Sequence, residues 1–181
     1  IEETMDALMT LKKQGKIRAI GASNVTADDI REYCQYGQLD VIQEKYSIVT
    51  RRVEEELMPV CKELGVSIQA YSPLEQGLLT GKFTMDTTFP QGDVRNNNPS
   101  FQPETRKKVL DILAGWKKYL EKYECSYSNL VIAFTANMME GLHILGGARK
   151  PEQIEDNAKA LGVCLDEADI VQMKKDIEIL L

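Results

Sequence analysis

Short apolar strands recur along this chain about every 25 residues, and this spacing limits the folds that the chain can adopt. Ile17, Val41 and Val66 each begin a predicted strand, and a predicted helix precedes each one. Strands that alternate with helices of about ten to fifteen residues indicate βαβ crossovers, which place the strands parallel in one sheet. A fourth apolar strand is predicted over residues 142–145. The sequence therefore predicts an α/β fold with four parallel strands and flanking helices.

Length, charge and cysteine use restrict the class of protein. The 181 residues allow a sizeable core, and we expect one domain over residues 1–181. A formal charge of −6 with scattered Lys and Arg disfavours nucleic acid or an anionic membrane as a partner. No apolar run approaches a membrane span, and no signal peptide is visible. The four separated cysteines indicate neither a zinc site nor a disulfide framework, so we predict a cytoplasmic protein and no bound metal.

The pattern also predicts where the elements begin and end. Predicted strands cover 17–24, 39–49, 66–71 and 142–145, and predicted helices cover 1–13, 26–37, 53–65, 103–123, 128–140 and a terminal segment after Asp166. Because the chain opens with Ile1 inside a helix, we expect it to be the later part of a longer protein. The segment 75–102 has no usable period, which is typical of a lid, a binding loop or a disordered segment.

Two stretches carry the groups that an anion site needs. In residues 66–82 a buried strand runs into a loop with small residues, hydroxyls and Lys82. An ordinary strand-to-helix turn would have the same composition, so that alternative stays open. In residues 146–151 a glycine turn is followed by Arg149, Lys150 and a proline at a predicted helix start.

Other charged or titratable residues have simpler interpretations. His143 is the only histidine, and its place within a strand favours a core or sheet-facing side chain over a catalytic one. Residues 54–56, three glutamates, fall in the first turn of a predicted helix, which is typical of a solvated acidic cap. No nucleophile elbow, Walker loop or GxGxxG pattern is present.

Polar side chains stand at the carboxyl end of each predicted strand. Ser23 and Asn24, Gln43, Tyr71, and residues 147–150 occupy these ends. In a βα barrel this edge binds the ligand, and phosphate groups favour the loops after the last two strands. Amides, an aromatic ring and cations together suit a nucleotide with a flat polar ring. Four strands cannot close an eight-stranded barrel, so half of such a barrel would be missing.

At these residues the whole chain resembles the aldo-keto reductases. The matching motifs are GASN, Gln43 within VIQEKYS, AYSPLEQGLLTGK and GGARKPEQIEDN. The likeness is greatest to the bacterial branch that includes the potassium-channel β subunits. The resemblance implies the C-terminal half of a (β/α)8 TIM barrel, with four parallel strands and flanking helices, in a protein that binds extended NADPH. It assigns the nicotinamide to Ser23, Asn24, Gln43 and Tyr71, the pyrophosphate to Ser72, Leu74, Gly77, Thr80 and Lys82, and the adenosine with its 2′-phosphate to Gly147, Arg149, Gln153, Asp156 and Asn157.

The same resemblance implies that no catalytic residue lies in this chain. The family reduces carbonyls with an aspartate, a tyrosine, a lysine and a histidine on its first four strands, and none of those positions matches here. Gly146 replaces a frequent proline, and Asp156 replaces a frequent glutamate. We therefore predict the C-terminal part of an NADPH-dependent reductase of aldehydes or ketones, inactive by itself, whose partner is the missing N-terminal half barrel or a second copy of itself. An NADPH-binding regulatory or sensor module and a self-associating half barrel without activity remain the alternatives.

Overall fold

A four-stranded parallel sheet forms the centre of the computed structural model, which describes residues 1–181. The strands are β1 (Gly21–Ser23), β2 (Val41–Lys45), β3 (Ser67–Tyr71) and β4 (Leu142–Leu145), and they lie side by side in chain order. The register pairs Ser23 with Gln43, and Lys45 with Tyr71. The predicted α/β architecture is confirmed, and its four parallel strands are consistent with half of a βα barrel.

Eight α-helices accompany the sheet. They are α1 (Glu2–Lys13), α2 (Ala27–Tyr36), α3 (Arg52–Glu56), α4 (Met58–Leu64), α5 (Pro103–Lys122), α6 (Tyr127–Ala136), α7 (Pro151–Ala158) and α8 (Glu167–Asp176). Thr26 and Ser126 begin α2 and α6 with reciprocal side-chain capping, which satisfies backbone N–H groups that a helix start leaves free. Neither helix needs further support at that end.

Several element boundaries differ from the prediction, and the helix predicted over 128–140 runs from Tyr127 to Ala136 instead. β1 and β2 are shorter than the predicted 17–24 and 39–49, because the flanking residues form loops rather than sheet ladders. The single helix predicted over 53–65 is two helices that meet at Leu57. Pro59 lies in the first turn of α4, where it lacks an N–H and its ring obstructs a continuous helix.

The chain has two hydrophobic clusters. One of 15 buried residues lies between one sheet face and α1 to α4, and includes Met5, Ile30, Cys61 and Ile68. The other, of 14 buried residues, joins α5, α6 and α8 and includes Trp116 and Phe134, whose rings meet edge to face at 5.4 Å. The opposite sheet face is open, and it exposes His143 and Gln43. His143 therefore lies on the exposed sheet face and not in the core.

Residues 83–102, here called the long loop, are ordered by aromatic side chains. Phe83, Phe89 and Phe101 pack edge to face with centroids 5.3–5.9 Å apart. The guanidinium of Arg95 lies over Phe89 at 4.2 Å from the ring centroid. The segment is therefore not disordered: it has a core of its own, with short 3₁₀ helices at Val94–Asn97 and Pro99–Phe101, and its role as a lid or binding loop stays a prediction.

None of the helices is both long enough and apolar enough to cross a membrane.

A buried thiol makes the stability of the fold sensitive to alkaline pH. Burial raises the pKa of Cys61 to about 11 from its ordinary 9.0. The unfolded chain therefore loses this proton above about pH 9, while the folded chain keeps it until about pH 11. The unfolded state then binds fewer protons, so we expect the free energy of unfolding to fall through this window, by at most about 1.4 kcal/mol per pH unit.

Urea denaturation between pH 8 and 11 measures this effect. Cys61→Ala should flatten the decline, whereas Cys164→Ala, at an exposed position, should leave it unchanged. An identical slope in the wild type and Cys61→Ala would contradict the assignment.

Candidate functional site

The carboxyl ends of the four strands form one edge of the sheet, here called the mouth. All fourteen residues predicted to bind cofactor lie in or just after these ends, or in α7 behind the last of them: Ser23, Asn24, Gln43, Tyr71, Ser72, Leu74, Gly77, Thr80, Lys82, Gly147, Arg149, Gln153, Asp156 and Asn157. The parallel register brings the four strand ends to the same edge, because every strand points the same way.

A hydrogen bond across the mouth joins two of these residues directly. The Tyr71 hydroxyl donates to Asn24 Oδ1 at 2.8 Å, although 47 residues separate them in the chain. Asn24 has a left-handed backbone, with φ of 55°, which the short polar side chain of asparagine tolerates. Because Oδ1 accepts the hydrogen bond from the phenol, the Asn24 NH₂ group remains available as a donor.

Gln43 offers the complementary group on the neighbouring strand. Its Nε2 donates to Gln69 Oε1 at 3.4 Å, which leaves Gln43 Oε1 as an acceptor. The Asn24 N–H also donates to the Gln43 carbonyl oxygen at 3.2 Å, so the two backbones are adjacent. One donor and one acceptor on adjacent strands suit a primary carboxamide, which has one of each.

Residues 72–82, here called the mouth loop, have an unusual backbone. Ser72, Glu75 and Gln76 all have φ between 45° and 58°, and Gly77 and Gly81 have φ of 94° and 71°. Turns of this kind can form concave anion sites from N–H groups that point to one side. In this loop the N–H groups of Glu75 and Gly77 are already used, because they donate to the Ser72 and Leu74 carbonyl oxygens, both at 2.9 Å. The Thr80 hydroxyl donates to the Gly77 carbonyl at 2.7 Å and closes the turn, while Lys82 is exposed at its end.

Glu75 is the anchor of the mouth loop, and the sequence prediction did not include it. Its side chain is fully buried and accepts hydrogen bonds from four side chains: Lys45 at 2.6 Å, Ser47 at 2.7 Å, Thr50 at 3.2 Å and Ser100 at 3.0 Å. These donors come from the end of β2, the loop after it and the long loop. No local sequence signal could have found this role, since a glutamate before Gln-Gly is typical of a solvent-exposed turn.

The turn after β4 is fixed by two amide side chains of α7. Gln153 Oε1 accepts from the Arg149 N–H at 2.7 Å, and Asn157 Nδ2 donates to the Gly147 carbonyl at 3.3 Å. The side chains of Arg149 and Lys150 are exposed. Gln153 and Asn157 therefore shape the turn, and the two cations are presented at its surface.

A second network lies behind the mouth and corrects the solvated-cap interpretation for Glu54, whereas Glu55 and Glu56 are exposed as predicted. Glu54 accepts from the Tyr46 hydroxyl at 2.7 Å and from Arg51 at 2.8 Å through both Nε and Nη2. Burial opposes ionisation of Glu54, but the bonds from Arg51 and Tyr46 lower its pKa overall. Burial, followed by the bond to Glu54, raises the pKa of Tyr46. Tyr46 thus stays protonated and acts as a structural donor.

Comparisons with known proteins agree with this arrangement. A sequence model of the Aldo/keto reductase family matches residues 1–178. The NADH-specific methylglyoxal reductase of Escherichia coli (strain K12) is 47% identical over 180 residues, which are 99% of this chain and 55% of that protein. The aldo-keto reductase YhdN of Bacillus subtilis (strain 168) is 34% identical over 182 residues, 100% of this chain and 54% of that protein.

A solved structure is similar over the same extent. The glycerol dehydrogenase AKR11B4 from Gluconobacter oxydans superimposes with a TM-score of 0.87 at 30% identity, over 99% of this chain and 54% of that chain. The chain therefore spans about half the length of the curated relatives it matches. Its likeness to the branch with potassium-channel β subunits stays a prediction.

The parallel strands, the polar mouth and a family match over nearly the whole length agree, and the chain belongs to the aldo/keto reductase family.

Proposed function

We propose that this chain supplies the dinucleotide-binding mouth of a carbonyl reductase that converts a small aldehyde or ketone to an alcohol. The observation that carries the proposal is the Tyr71 to Asn24 hydrogen bond, which brings two strand ends together beside Gln43. The name of the E. coli relative supports a carbonyl substrate of the size of methylglyoxal. The rest of the reductase, or a second copy of this chain, remains the proposed partner.

The donors and acceptors of the mouth fit a nicotinamide. The carboxamide oxygen would accept from the free Asn24 NH₂ group, and the carboxamide NH₂ would donate to Gln43 Oε1. The hydrogen bond to Asn24 holds the Tyr71 ring in one orientation, which suits a residue that stacks on a flat ring. When bound, the reduced nicotinamide supplies the hydride for the carbonyl carbon.

The two loops at the far end of the mouth fit phosphate groups. The turns of the mouth loop, with Thr80 and Lys82, offer N–H groups and a cation to a pyrophosphate. The exposed Arg149 and Lys150 offer cations to a phosphate on the adenosine ribose. We assign the chain a role in binding and orienting the cofactor, and no catalytic acid.

Asn24→Asp tests the nicotinamide contact. The change replaces the donor NH₂ group with an oxygen that would face the carboxamide oxygen of the cofactor. Loss of one hydrogen bond costs about 0.5–1.5 kcal/mol, and the added repulsion leads us to expect an affinity loss of about tenfold or more. Isothermal calorimetry with NADH and with NADPH measures it.

The control for this change is Asn97→Asp, at an exposed position of the long loop outside the mouth. It should leave affinity within about twofold, because surface changes remote from a site have small effects. If neither dinucleotide binds the wild-type protein, or if both variants weaken binding equally, the proposed function is wrong.

Arg149→Gln decides between the two dinucleotides. We propose NADPH, in line with the family resemblance, and NADH is the alternative that the name of the E. coli relative favours. If Arg149 pairs with the 2′-phosphate, its removal should lower the affinity for NADPH by about 10-fold to 100-fold, which is the value of a charge-assisted hydrogen bond. The affinity for NADH should stay nearly unchanged.

Lys117→Gln, on the exposed side of α5, is the charge-matched control and should change neither affinity. Two results would reject NADPH as the cofactor: Arg149→Gln lowers the affinity for both dinucleotides equally, or the wild type binds NADH more tightly than NADPH. Neither result would contradict the assignment of the mouth as the dinucleotide site.

A further inference from the structure

We propose that a groove between the long loop and the start of α5 binds a small oxyanion, a phosphate or a carboxylate group, through the guanidinium of Arg106. The groove has a volume of about 360 Å³. It is lined by Thr87, Thr88, Phe89, Arg95, Asn96, Phe101, Gln102 and Arg106. None of these residues belongs to the mouth, so the proposal goes beyond the proposed function.

Arg106 is a buried cation whose hydrogen-bonding capacity is only partly used. The residue is 7% exposed. Its Nη2 donates to the backbone carbonyls of Thr84 and Thr87. Its Nε is buried and has no acceptor. A guanidinium has five N–H donors, so this side chain reaches the groove with donors to spare.

No carboxylate balances the charge of Arg106. It takes part in none of the ion pairs of the chain. Its nearest favourable contact of another kind is the ring of Phe89, with its centroid 5.9 Å from the guanidinium carbon. Buried charges are normally paired, because burial without a partner costs several kcal/mol in free energy. An oxyanion in the groove would supply the missing partner.

The second cation of the groove is already neutralised. Arg95 binds Asp93 through Nε at 2.9 Å and through Nη2 at 2.6 Å. The hydrogen bonds from Arg95 lower the pKa of Asp93 to about 2, so both groups are charged at neutral pH and neutralise each other. The net charge of the groove wall is therefore the charge of Arg106.

The rest of the groove suits a small polar anion. Thr88 brings a hydroxyl to the rim, and Asn96 and Gln102 bring amides whose NH₂ groups each retain one N–H beyond their bonds to the Pro90 and Asn96 carbonyls. Arg106 lies in the first turns of α5, where the helix dipole also favours a negative group. An anion bound here would hold Thr84 and Thr87 of the long loop, whose carbonyls accept from Arg106, against α5.

Thermal unfolding in added phosphate or acetate, with chloride at equal ionic strength as the reference, tests the proposal. For wild type we expect Tm to rise by about 3–6 °C at ten times the Kd of the anion. A rise with phosphate, with acetate or with both supports the site and identifies its oxyanion. Arg149→Gln removes a cation of the mouth whose charge also reaches Asp93, and it should keep most of the rise, whereas Arg106→Gln should lose it.

Because Arg106→Gln also removes two bonds to the long loop, Thr88→Val serves as a second variant that leaves the guanidinium in place. It should lower the affinity for the anion by about threefold to tenfold, which is the value of one hydrogen bond. Three outcomes overturn the proposal. The Tm of the wild type does not rise above its value in chloride, the rise in Tm persists in Arg106→Gln, or Arg149→Gln abolishes the rise. If Arg106→Gln does not fold, unchanged affinity in Thr88→Val overturns it. Cofactor titration of the same variants reports on the mouth separately.

Discussion

Glu75→Ala is expected to lower the free energy of unfolding by about 3 kcal/mol or more, because it removes the acceptor that four buried or half-buried donors share. Ser47 and Ser100 are 0% and 7% exposed, so water cannot readily replace the carboxylate for them. The Lys45 side chain, at 33% exposed, recovers part of its hydration, and for that reason we do not expect the full cost of breaking a buried ion pair.

The expected loss corresponds to a decrease in Tm of about 6–12 °C for a protein of this size. Differential scanning calorimetry or urea denaturation measures it. Glu75→Gln keeps a hydrogen-bonding side chain of the same shape and should cost clearly less than alanine. Glu56→Ala, which removes only the exposed 3.4 Å pair with Arg52, should stay within about 0.5 kcal/mol of the wild type. Equal effects of Glu75→Ala and Glu56→Ala would show that the buried network contributes nothing.

Glu75 also connects the mouth loop to the long loop. Ser100 reaches its carboxylate, and Asn98 Nδ2 donates to Gln76 Oε1 at 3.3 Å. The backbone of the mouth loop is therefore held in place by the buried carboxylate of Glu75 and by the hydrogen bond between Gln76 and Asn98 of the long loop. Loosening this support should weaken cofactor binding in a variant that still folds, since the phosphate contacts that we propose for this loop depend on backbone positions.

The sequence was sufficient where local chemistry decides the structure. The recurrence of Ile17, Val41 and Val66 predicted the parallel order, and the proline at 151 predicted the start of α7. The alignment of strand ends also predicted that Asn24 and Tyr71 would share one edge, and their hydrogen bond confirms this proximity. Their roles in cofactor binding remain predictions.

The sequence was insufficient where distant segments decide the structure. Glu75 is buried only because donors from residues 45–50 and from residue 100 surround it. Glu54 became a partner of Tyr46 rather than a solvated cap, because the loop after β2 folds back onto α3. Arg106 has the spacing of any solvated helix residue, yet the long loop covers it. Each case is set by packing across many residues, and no local pattern encodes it.

Gly81→Ala is expected to cost about 2–5 kcal/mol, for two reasons that can be separated. The first is the backbone, because φ of 71° is strained for a residue with a Cβ atom. The second is overlap, because a Cβ here would collide with Cδ2 of the Tyr127 ring and lie 2.7 Å from Cε2. The ring cannot move away freely, since its hydroxyl donates to the Leu113 carbonyl at 2.9 Å.

Gly92→Ala is the matched control. Gly92 also has a left-handed backbone, with φ of 84°, but nothing lies within 4 Å of an added Cβ. It should cost only the backbone term, about 1–2 kcal/mol, so the excess in Gly81→Ala measures the overlap with Tyr127. Because Thr80 and Lys82 flank Gly81, the displaced loop should also bind dinucleotide more weakly, whereas Gly92→Ala should not. Equal destabilisation by the two substitutions would mean that the mouth loop can move off α6, and that its close packing against Tyr127 does not hold the phosphate-facing backbone in place.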